Sequence, residues 1–233
     1  MKLPPLVSGA LLRRYKRFLA DIALDSGETI TAHCANPGSM RGLAEPGSRV
    51  YLSQSDNPKR KLSYSWELVA TPSGLVCVNT ARANPLVAEA LTAGSIKELA
   101  GFNELRREVP YGDSRIDFEL WFGSRRCLLE VKNVTLDFGD GTSAFPDSVT
   151  TRGARHLAEL EHAKAAGARA VLLFCCSRSD TRRVVPASAI DPTYAAALRR
   201  AAAAGVEVLA YAGRVELRRL SLTHAVPVEL GVR

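Results

Sequence analysis

The chain has 233 residues, of which 46% are hydrophobic and 24% are charged, and its formal net charge is +7 at pH 7. These values are those of an ordinary globular protein with room for one large domain or two small ones. The positive charge favours a polyanionic partner, although a generic basic surface would give the same value. No apolar run reaches the roughly 18 residues that span a bilayer, so we expect no membrane partner.

The N-terminal stretch MKLPPLVSGALLRRYKRF lacks the charged-then-apolar order of a signal peptide, and its prolines interrupt any helix. The cysteines form an odd set with no CxxC spacing, which argues against a zinc site or a disulfide framework. We therefore expect a cytoplasmic protein. The set comprises Cys34, Cys77, Cys127, Cys175 and Cys176.

The first 80 residues consist of short β-prone segments separated by turn formers such as DSG, ANPGS, EPGS and TPSG. About five short strands without a long helix predict a small closed barrel of the oligonucleotide-binding (OB) type. A sandwich or an open sheet fits this pattern nearly as well. The predicted strands are 17–24, 28–34, 49–54, 63–70 and 75–79.

A helical connection follows in NPLVAEALTAG, where Asn84 is predicted to cap a helix, Pro85 to occupy its first turn and Gly94 to end it. Ser95 and Glu98 predict a capping box for a second helix in SIKELAGF. The expected domains are therefore a nucleic-acid-binding barrel over residues 1–82 and a second domain, with these helices, over 83–233.

In the rest of the chain, a predicted strand meander is followed by alternating strands and helices. This order predicts an α/β domain with a mixed sheet. The run ARAVLLFCCS is apolar enough for a strand buried on both faces. Strands are predicted over 105–109, 115–122 and 127–136, a helix over 151–166, the buried strand in ARAVLLFCCS, a helix in PTYAAALRRAAAAG and a strand in VEVLAYA.

The segment RIDFELWFGSRRCLLEVK has the alternation of a β-hairpin. A turn over residues 123–126 would set Asp117 opposite Lys132 and Glu119 opposite Glu130. One face would then carry three carboxylates and an ammonium, unless it is only a solvated outer face with cross-strand ion pairs. The other face would be apolar and would contain Ile116, Phe118, Leu120, Phe122, Cys127, Leu129 and Val131.

The polar face predicts a metal site with a catalytic lysine. Mg²⁺ or Mn²⁺ prefers oxygen ligands, and Asp117 and Glu130 on adjacent strands could share such an ion. The carbonyl of Val131 is a possible further ligand, and Lys132 could orient the attacking water or stabilise negative charge. Glu119 is interpreted as a surface carboxylate outside the site.

In FPDSVTTRGARHL, Asp147 or Thr150 is predicted to cap the following helix. Arg152 and His156 stand four residues apart, so they share one face of its first turns, where a phosphate could bind. The alternative is a solvated helical stripe that also includes Glu159.

Two further basic clusters lie in the first third of the chain, and both are interleaved with or followed by aromatic residues. That combination suits a nucleic acid, because charge holds the backbone and rings stack on bases, but ordinary surface charge over core aromatics would look the same. The clusters are Arg13, Arg14, Lys16 and Arg17, and Lys59, Arg60 and Lys61.

Asp117 followed by Glu130-x-Lys132 resembles the PD-(D/E)xK nuclease core, with Ile116 replacing the usual proline. Segments along nearly the whole chain resemble the sugar fermentation stimulation protein A family, among them HCANPGSM, SDNPKRK, LEVKNVTL and FPDSVTTRGARHL. This resemblance implies DNA binding, an N-terminal OB barrel and a C-terminal PD-(D/E)xK-type α/β domain.

The functional hypothesis is a DNA-binding protein with a Mg²⁺-dependent (or Mn²⁺-dependent) phosphodiesterase site, with RNA as the alternative substrate. The rival hypothesis is a non-catalytic DNA-binding regulator that keeps the nuclease fold as a scaffold.

Overall fold

A computed structural model of the protein describes residues 1–112 and 114–231. The strands are β1 Leu6–Tyr15, β2 Leu19–Leu24, β3 Thr29–His33, β4 Arg49–Gln54, β5 Tyr64–Thr71, β6 Gly74–Cys77, β7 Glu104–Tyr111, β8 Ser114–Phe122, β9 Arg125–Val134, β10 Leu136–Asp137, β11 Thr142–Phe145, β12 Arg169–Cys176, β13 Arg183–Pro186, β14 Glu207–Val215 and β15 Leu220–Ala225. The α-helices are α1 Ala83–Thr92, α2 Thr151–Ala165 and α3 Pro192–Ala203.

The first five strands close into a barrel in the order β3-β2-β1-β4-β5, and a parallel contact between His33 and Ser65 joins β3 to β5. The predicted OB-like barrel is therefore confirmed. Its central strand β1 was missed, because the strand prediction began only at residue 17. Gly9 makes this strand possible, since a Cβ at that position would lie 2.4 Å from the carbonyl oxygen of Ala23 on β2.

The barrel encloses a core of its own, which is built only from residues 11–78. Alternate positions on β2 and β4 point inwards, so Ile22, Val50 and Leu52 are fully buried against Trp66. The Trp66 side chain satisfies its indole N–H by donating to the Leu68 carbonyl. This separate core makes the barrel a structural unit in itself.

The C-terminal domain contains a mixed six-stranded sheet in the order β15-β14-β12-β9-β8-β7, as its strand and helix pattern predicts. β12 lies at the centre, parallel to both β9 and β14, and its residues Ala170–Cys176 are all buried. Helix α1 covers one face of the sheet, and α2 and α3 cover the other. A small sheet, β10-β11-β13, lies beside the large one.

The core on the α1 face is shared between the two domains. Leu3, Leu68 and Cys77 from the first 80 residues pack in the same cluster as α1 and the large sheet. The chain start also pairs with the end of the domain, because Leu3 N donates to the Arg218 carbonyl and Leu220 N donates to the Met1 carbonyl. The two domains therefore form one continuous body.

The connection between the domains differs from the prediction. Arg82, not Asn84, is the N-cap residue of α1, and the Asn84 side chain reaches Asp117 instead. The predicted second helix is only a 3-10 turn over Lys97–Leu99, without a side-chain cap. The Glu98 carboxylate accepts a hydrogen bond from the Tyr211 hydroxyl, so a tertiary contact replaces the expected capping box.

The β8–β9 hairpin forms, but its predicted register is wrong by two residues. The turn contains only Gly123 and Ser124, with Gly123 at a φ of +62°, and Phe122 pairs with Arg125. Glu119 consequently faces Leu128 and not Glu130. The regular alternation of β8 side chains between the two faces of the sheet is also interrupted at Asp117.

The break at Asp117 separates the predicted apolar face into two. Ile116 packs in the core beneath α2, whereas Phe118 packs in the core beneath α1. The interpretation of the polar face as a solvated surface is wrong as well, because α2 covers it and Glu130 is 2% exposed.

Candidate active site

The residues predicted for the metal site come together in one open cavity of about 460 Å³ at the junction of α1, β8, β9 and α2. Asp117, Glu130, Val131 and Lys132 all line it, together with Asn84 from the start of α1. Adjacent strands bring the first four together, and the first turn of α1 closes the cavity from the side.

Asp117 is held where β8 bends away from regular pairing. Its Oδ2 accepts a hydrogen bond from the Val131 backbone N–H at 2.7 Å, and its Oδ1 accepts one from Asn84 Nδ2 at 2.7 Å. Burial, followed by the charge of Glu130, raises the pKa of Asp117 to about 6. Two carboxylates thus lie close enough to repel each other, which a cation between them would relieve.

Glu130 is buried, and its two oxygens have different surroundings. Oε1 contacts the Lys132 ammonium at 2.7 Å and also His156 Nδ1. Oε2 is buried without a hydrogen-bond partner among the described residues. Burial acts to raise the pKa of Glu130, but the hydrogen bond from His156 and the charge of Lys132 outweigh it and lower the pKa.

His156 lies beneath the carboxylate and is 2% exposed. Its Nε2 accepts from Arg152 Nε at 3.2 Å, which assigns the ring proton to Nδ1 and makes Nδ1 the donor to Glu130. Lys132 Nζ lies 3.2 Å from the same Nδ1. Sequence analysis placed His156 on the nucleic-acid surface and missed its contact with Glu130, because the two residues are 26 positions apart and no local pattern links them.

A second cavity of about 530 Å³ continues from the first. The two share Thr80, Asn133 and Arg152, so together they form one groove, which we call the junction groove. This groove runs from Asp117 past the N-terminus of α2 to Arg17 on the β1–β2 turn of the barrel. Of the residues predicted to bind nucleic acid, Arg17, Arg152 and His156 line it.

Arg14 supports the backbone of the loop that lines one side of the junction groove. Its guanidinium donates to the carbonyls of Arg17, Asn36, Gly38 and Ser39, and residues 36–38 line the groove. The same loop is fastened to the C-terminal domain, because Asp147 accepts a hydrogen bond from the Met40 backbone N–H. Asp147 was one of two predicted helix caps, but Thr150 fills that role by accepting from Gly153 N.

The remaining basic residues lie outside the junction groove. Arg13 is paired with Asp21 at 2.8 Å, and Lys16 is exposed at the tip of the β1–β2 hairpin. Lys59, Arg60 and Lys61 are exposed on the β4–β5 loop, where Arg60 donates to Ser65. Their predicted contacts with nucleic acid stay predictions.

Glu119 lies apart from the site. It is 2% exposed, and its carboxylate is paired with Arg126 at 2.5 Å and with Arg106 at 3.7 Å. Sequence analysis excluded it from the metal site, but it is a buried ion-paired group and not a surface carboxylate.

Across residues 1–112 and 114–231, no group of three or more His, Cys, Asp or Glu side chains could hold a metal ion. A pair of carboxylates is nevertheless what Mg²⁺ commonly uses, since water and substrate phosphate complete its coordination. Among the described residues, Glu130 Oε2 has no hydrogen-bond partner, and the pKa of the nearby Asp117 is raised. In a closed structural ion pair both carboxylates would be neutralised, so this arrangement fits a hard cation better. No helix in these same ranges is long and apolar enough to cross a membrane.

The fold and the site define a two-domain protein, in which an OB-like barrel abuts a mixed-sheet α/β domain that carries an acidic pair and a lysine. The family model for the SfsA N-terminal OB domain matches residues 12–78, and that for the sugar fermentation stimulation protein RE domain matches residues 81–219. The chain therefore belongs to the sugar fermentation stimulation protein family.

Individual relatives agree with this assignment over almost the whole chain. A sugar fermentation stimulation protein homolog from Ectopseudomonas mendocina is 56% identical over 97% of both chains. The homolog from Acidithiobacillus ferrooxidans is 52% identical over 98% of this chain and 99% of its own. A solved structure described as Pyrococcus furiosus SfsA in complex with Ca²⁺ has a TM-score of 0.89, with 23% identity over 98% of both chains, and so shares the fold.

Proposed function

We propose that the protein is a metal-dependent nuclease that hydrolyses phosphodiester bonds of DNA in the junction groove. The observation that carries this proposal is the buried Oε2 of Glu130, which has no partner among the described residues, in a side chain that lines an open cavity together with Asp117. A buried carboxylate oxygen without a donor costs free energy, so its retention favours a ligand that is a cation.

Asp117 and Glu130 would hold Mg²⁺ or Mn²⁺, with the Val131 carbonyl as a further candidate ligand. When bound, the ion would polarise the phosphate and lower the pKa of a coordinated water. The solved relative from Pyrococcus furiosus is described in complex with Ca²⁺, another oxygen-preferring cation. Hydrolysis would form a bond from a water oxygen to phosphorus and break the bond to the leaving oxygen.

Lys132 would act on the phosphate and its developing charge. Its ammonium is 2.7 Å from Glu130 Oε1, its side chain is 11% exposed, and it lines the cavity. A positive group fixed at this place needs little reorganisation as negative charge grows on the phosphate. His156 is a positioning residue in this scheme, because it orients the Glu130 carboxylate from below.

The junction groove provides a path for a polyanion. Arg152, in the first turn of α2, lines both cavities of the groove, and Arg17 lines the one farther from Asp117 together with the N-terminus of α2. The net charge of +7 and the adjoining OB-like barrel favour nucleic acid as the polyanion. DNA is the proposed substrate, and RNA is the alternative that the same assay tests.

The experiment incubates the purified protein with end-labelled single-stranded DNA, duplex DNA and RNA, in Mg²⁺, in Mn²⁺ or in EDTA. We expect metal-dependent cleavage of DNA that is lost in Asp117→Asn and Glu130→Gln. Lys132→Ala should slow cleavage by on the order of 100-fold or more while changing DNA affinity little. Glu104→Gln, an exposed carboxylate on β7, is the matched control and should cleave like the parent.

The non-catalytic regulator remains the second candidate, because the 2.7 Å contact between Lys132 and Glu130 also suits a structural ion pair. In that case Lys132→Ala would leave the Glu130 carboxylate poorly neutralised and lower the melting temperature, with no activity to lose. DNA binding without cleavage in any metal, together with that loss of stability, would refute the nuclease proposal.

A further inference from the structure

The barrel contains a buried carboxylate, Glu67 on β5, which is 1% exposed and lines neither cavity of the junction groove. Its Oε1 accepts hydrogen bonds from Ser53 Oγ at 2.7 Å and from Arg82 Nη2 at 2.6 Å. Its Oε2 accepts from Asn79 Nδ2 and from Arg82 Nε, both at 2.9 Å. A carboxylate offers about four acceptor sites, so all of them are used. We call these four residues the Glu67 cluster.

Stability alone is a poor explanation for the Glu67 cluster. Taking a carboxylate out of water costs free energy that a paired arginine only partly offsets, and apolar side chains of similar volume often give an equally stable protein. A buried network whose members are all hydrogen-bonded does, however, hold those members in one arrangement. The cluster is therefore better explained by the geometry that it imposes on the chain around it.

The Glu67 cluster holds the connection between the barrel and α1. Asn79 Oδ1 accepts a hydrogen bond from Ala81 N at 3.1 Å, and Arg82 is the N-cap residue of α1. Between them, Thr80 donates to the Ala35 carbonyl from its backbone N at 3.0 Å and from Oγ1 at 2.8 Å. Residues 79–82 are thus fastened to the barrel by both side chains and backbone.

The connection held in this way forms one wall of the candidate active site. Residues 80–81 and 83–85 line the cavity that contains Asp117. Asn84, two residues after Arg82, donates from Nδ2 to Asp117 Oδ1 at 2.7 Å. The path from the buried carboxylate of the barrel to the proposed metal ligand therefore consists of one ion pair, the first residues of α1 and one hydrogen bond.

We infer that Glu67 is a positioning residue for the metal site of the other domain. It acts through Arg82 and Asn84, which set the orientation of the Asp117 carboxylate. The inference rests on the proposed function where it concerns the metal. The orientation of Asp117 also has an observable of its own, because the Val131 N–H donates to the other oxygen of this carboxylate.

Calorimetric titration of the full chain with Mn²⁺ tests this inference. Glu67→Gln keeps the shape of the side chain but releases Arg82, and it should lower Mn²⁺ affinity by about 10-fold, as for other residues that orient a metal ligand. Asn84→Ala should lower the affinity by a similar factor. The double variant should bind no more weakly than Asn84→Ala alone, since both changes act along one path, whereas independent effects would multiply.

Val50→Ala is the matched control for a loss of barrel stability. Val50 is fully buried in the barrel core and lies outside the Glu67 cluster. This variant should melt at a lower temperature but bind Mn²⁺ like the parent. Circular dichroism confirms the folding of each variant. If Glu67→Gln does not fold, Arg82→Lys replaces it with the same expectations, because an ammonium keeps the charge but cannot form the two-bond contact.

Amide hydrogen exchange followed by NMR in EDTA gives a reading that needs no metal. The Val131 N–H should exchange faster in Glu67→Gln and in Asn84→Ala than in the parent, because Asp117 no longer holds its position as acceptor. Val50→Ala should keep the parent's exchange rate at this amide. A loss of barrel packing alone would not produce this difference.

The outcomes separate the inference from the proposed function. A parent protein that binds no Mn²⁺ would refute the metal site, and Val131 exchange would then decide the positioning role alone. The inference is overturned if Glu67→Gln keeps the parent's exchange rate at Val131. It is also overturned if Val50→Ala weakens Mn²⁺ binding as much as Glu67→Gln does, or if the effects of Glu67→Gln and Asn84→Ala multiply in the double variant.

Discussion

Burial and the nearby charge of Glu130 disfavour the negative charge that Asp117 carries at neutral pH. Its raised pKa, about 6 against an ordinary value of 3.8, means that the folded protein holds a proton that the unfolded chain releases between these values. Stability from this group is therefore greatest below about pH 4 and is lost as the pH rises to about 6. One pKa unit corresponds to about 1.4 kcal/mol, so the cost at neutral pH is roughly 3 kcal/mol.

Asp117→Asn should consequently stabilise the metal-free protein at pH 7.5 but not near pH 4. The amide keeps the acceptor for Val131 N–H, and the Asn84 side chain can rotate to present its oxygen to the new N–H groups. Thermal melts in EDTA across this pH range measure the difference. An equal effect of the substitution at both pH values would show that Asp117 is not the titrating group.

His156 is predicted to hold the Glu130 carboxylate in the orientation that binds a metal ion. His156→Ala removes the donor to Glu130, so Mn²⁺ affinity measured by calorimetry should fall by about 10-fold or more, as for other residues that orient a ligand. His156→Asn can place its side-chain N–H near the former Nδ1 and should recover most of that affinity. Equal loss in both variants would indicate a general packing role.

Among the elements, the β1–β2 hairpin is the part of the barrel that we expect to contact nucleic acid. Lys16 and Arg17 occupy its tip, both exposed and both at positive φ, and Arg17 lines the junction groove. Their neighbours differ, because Arg13 is paired with Asp21 and Arg14 holds main-chain carbonyls. The predicted basic cluster thus contains two structural members and two at the hairpin tip.

Replacing Lys16 and Arg17 with Gln should weaken DNA binding and flatten its salt dependence, by up to about 0.9 in the log–log slope for each duplex phosphate that the variant no longer neutralises. Affinities measured across a salt series give this slope. Arg214→Gln with Arg218→Gln is the charge-matched control. If the hairpin variant keeps the parent's slope, the nucleic acid follows another surface.

The β8–β9 hairpin shows what the sequence could predict and what it could not. Alternation and the spacing of Asp117, Glu130 and Lys132 were enough to bring three side chains to one cavity, because strand geometry is local. The register depended on whether the turn had two or four residues. Gly123-Ser124 is a pair typical of two-residue hairpin turns, but the prediction extended the turn over residues 123–126. The break at Asp117 depends on α2 packing from elsewhere in the chain, which no local pattern encodes.

In the whole molecule, the C-terminal domain relies on residues of the N-terminal part for its hydrophobic core, whereas the barrel core does not rely on the C-terminal domain. The barrel core uses only residues 11–78, whereas the core beneath α1 includes Leu3, Leu68 and Cys77. A barrel and an α/β domain were predictable because short strands separated by turns fill the first part of the chain, whereas strands alternate with helices in the second. Their shared core was not, since Leu3 precedes the first predicted strand and its partners lie near the end of the chain.

A boundary at residue 82 therefore yields fragments of unequal stability. Residues 1–82 should fold alone, while 83–233 should melt below the temperature of the full chain, because each missing leucine contributes about 1.5–3 kcal/mol when buried. Melts of both fragments, followed by circular dichroism, measure this. A fragment 83–233 that melts with the full chain would make the shared core energetically unimportant.

The backbone bonds that join Met1 and Leu3 to Arg218 and Leu220 have a consequence for biosynthesis. A ribosome releases the barrel's core-forming residues early, but the strand that receives the first three residues is made about 140 residues later. At 5–20 residues per second this interval is on the order of 10 s. The nascent N-terminus therefore remains without its partner until residues 218–220 have been made, and we expect it to dock after the barrel has closed.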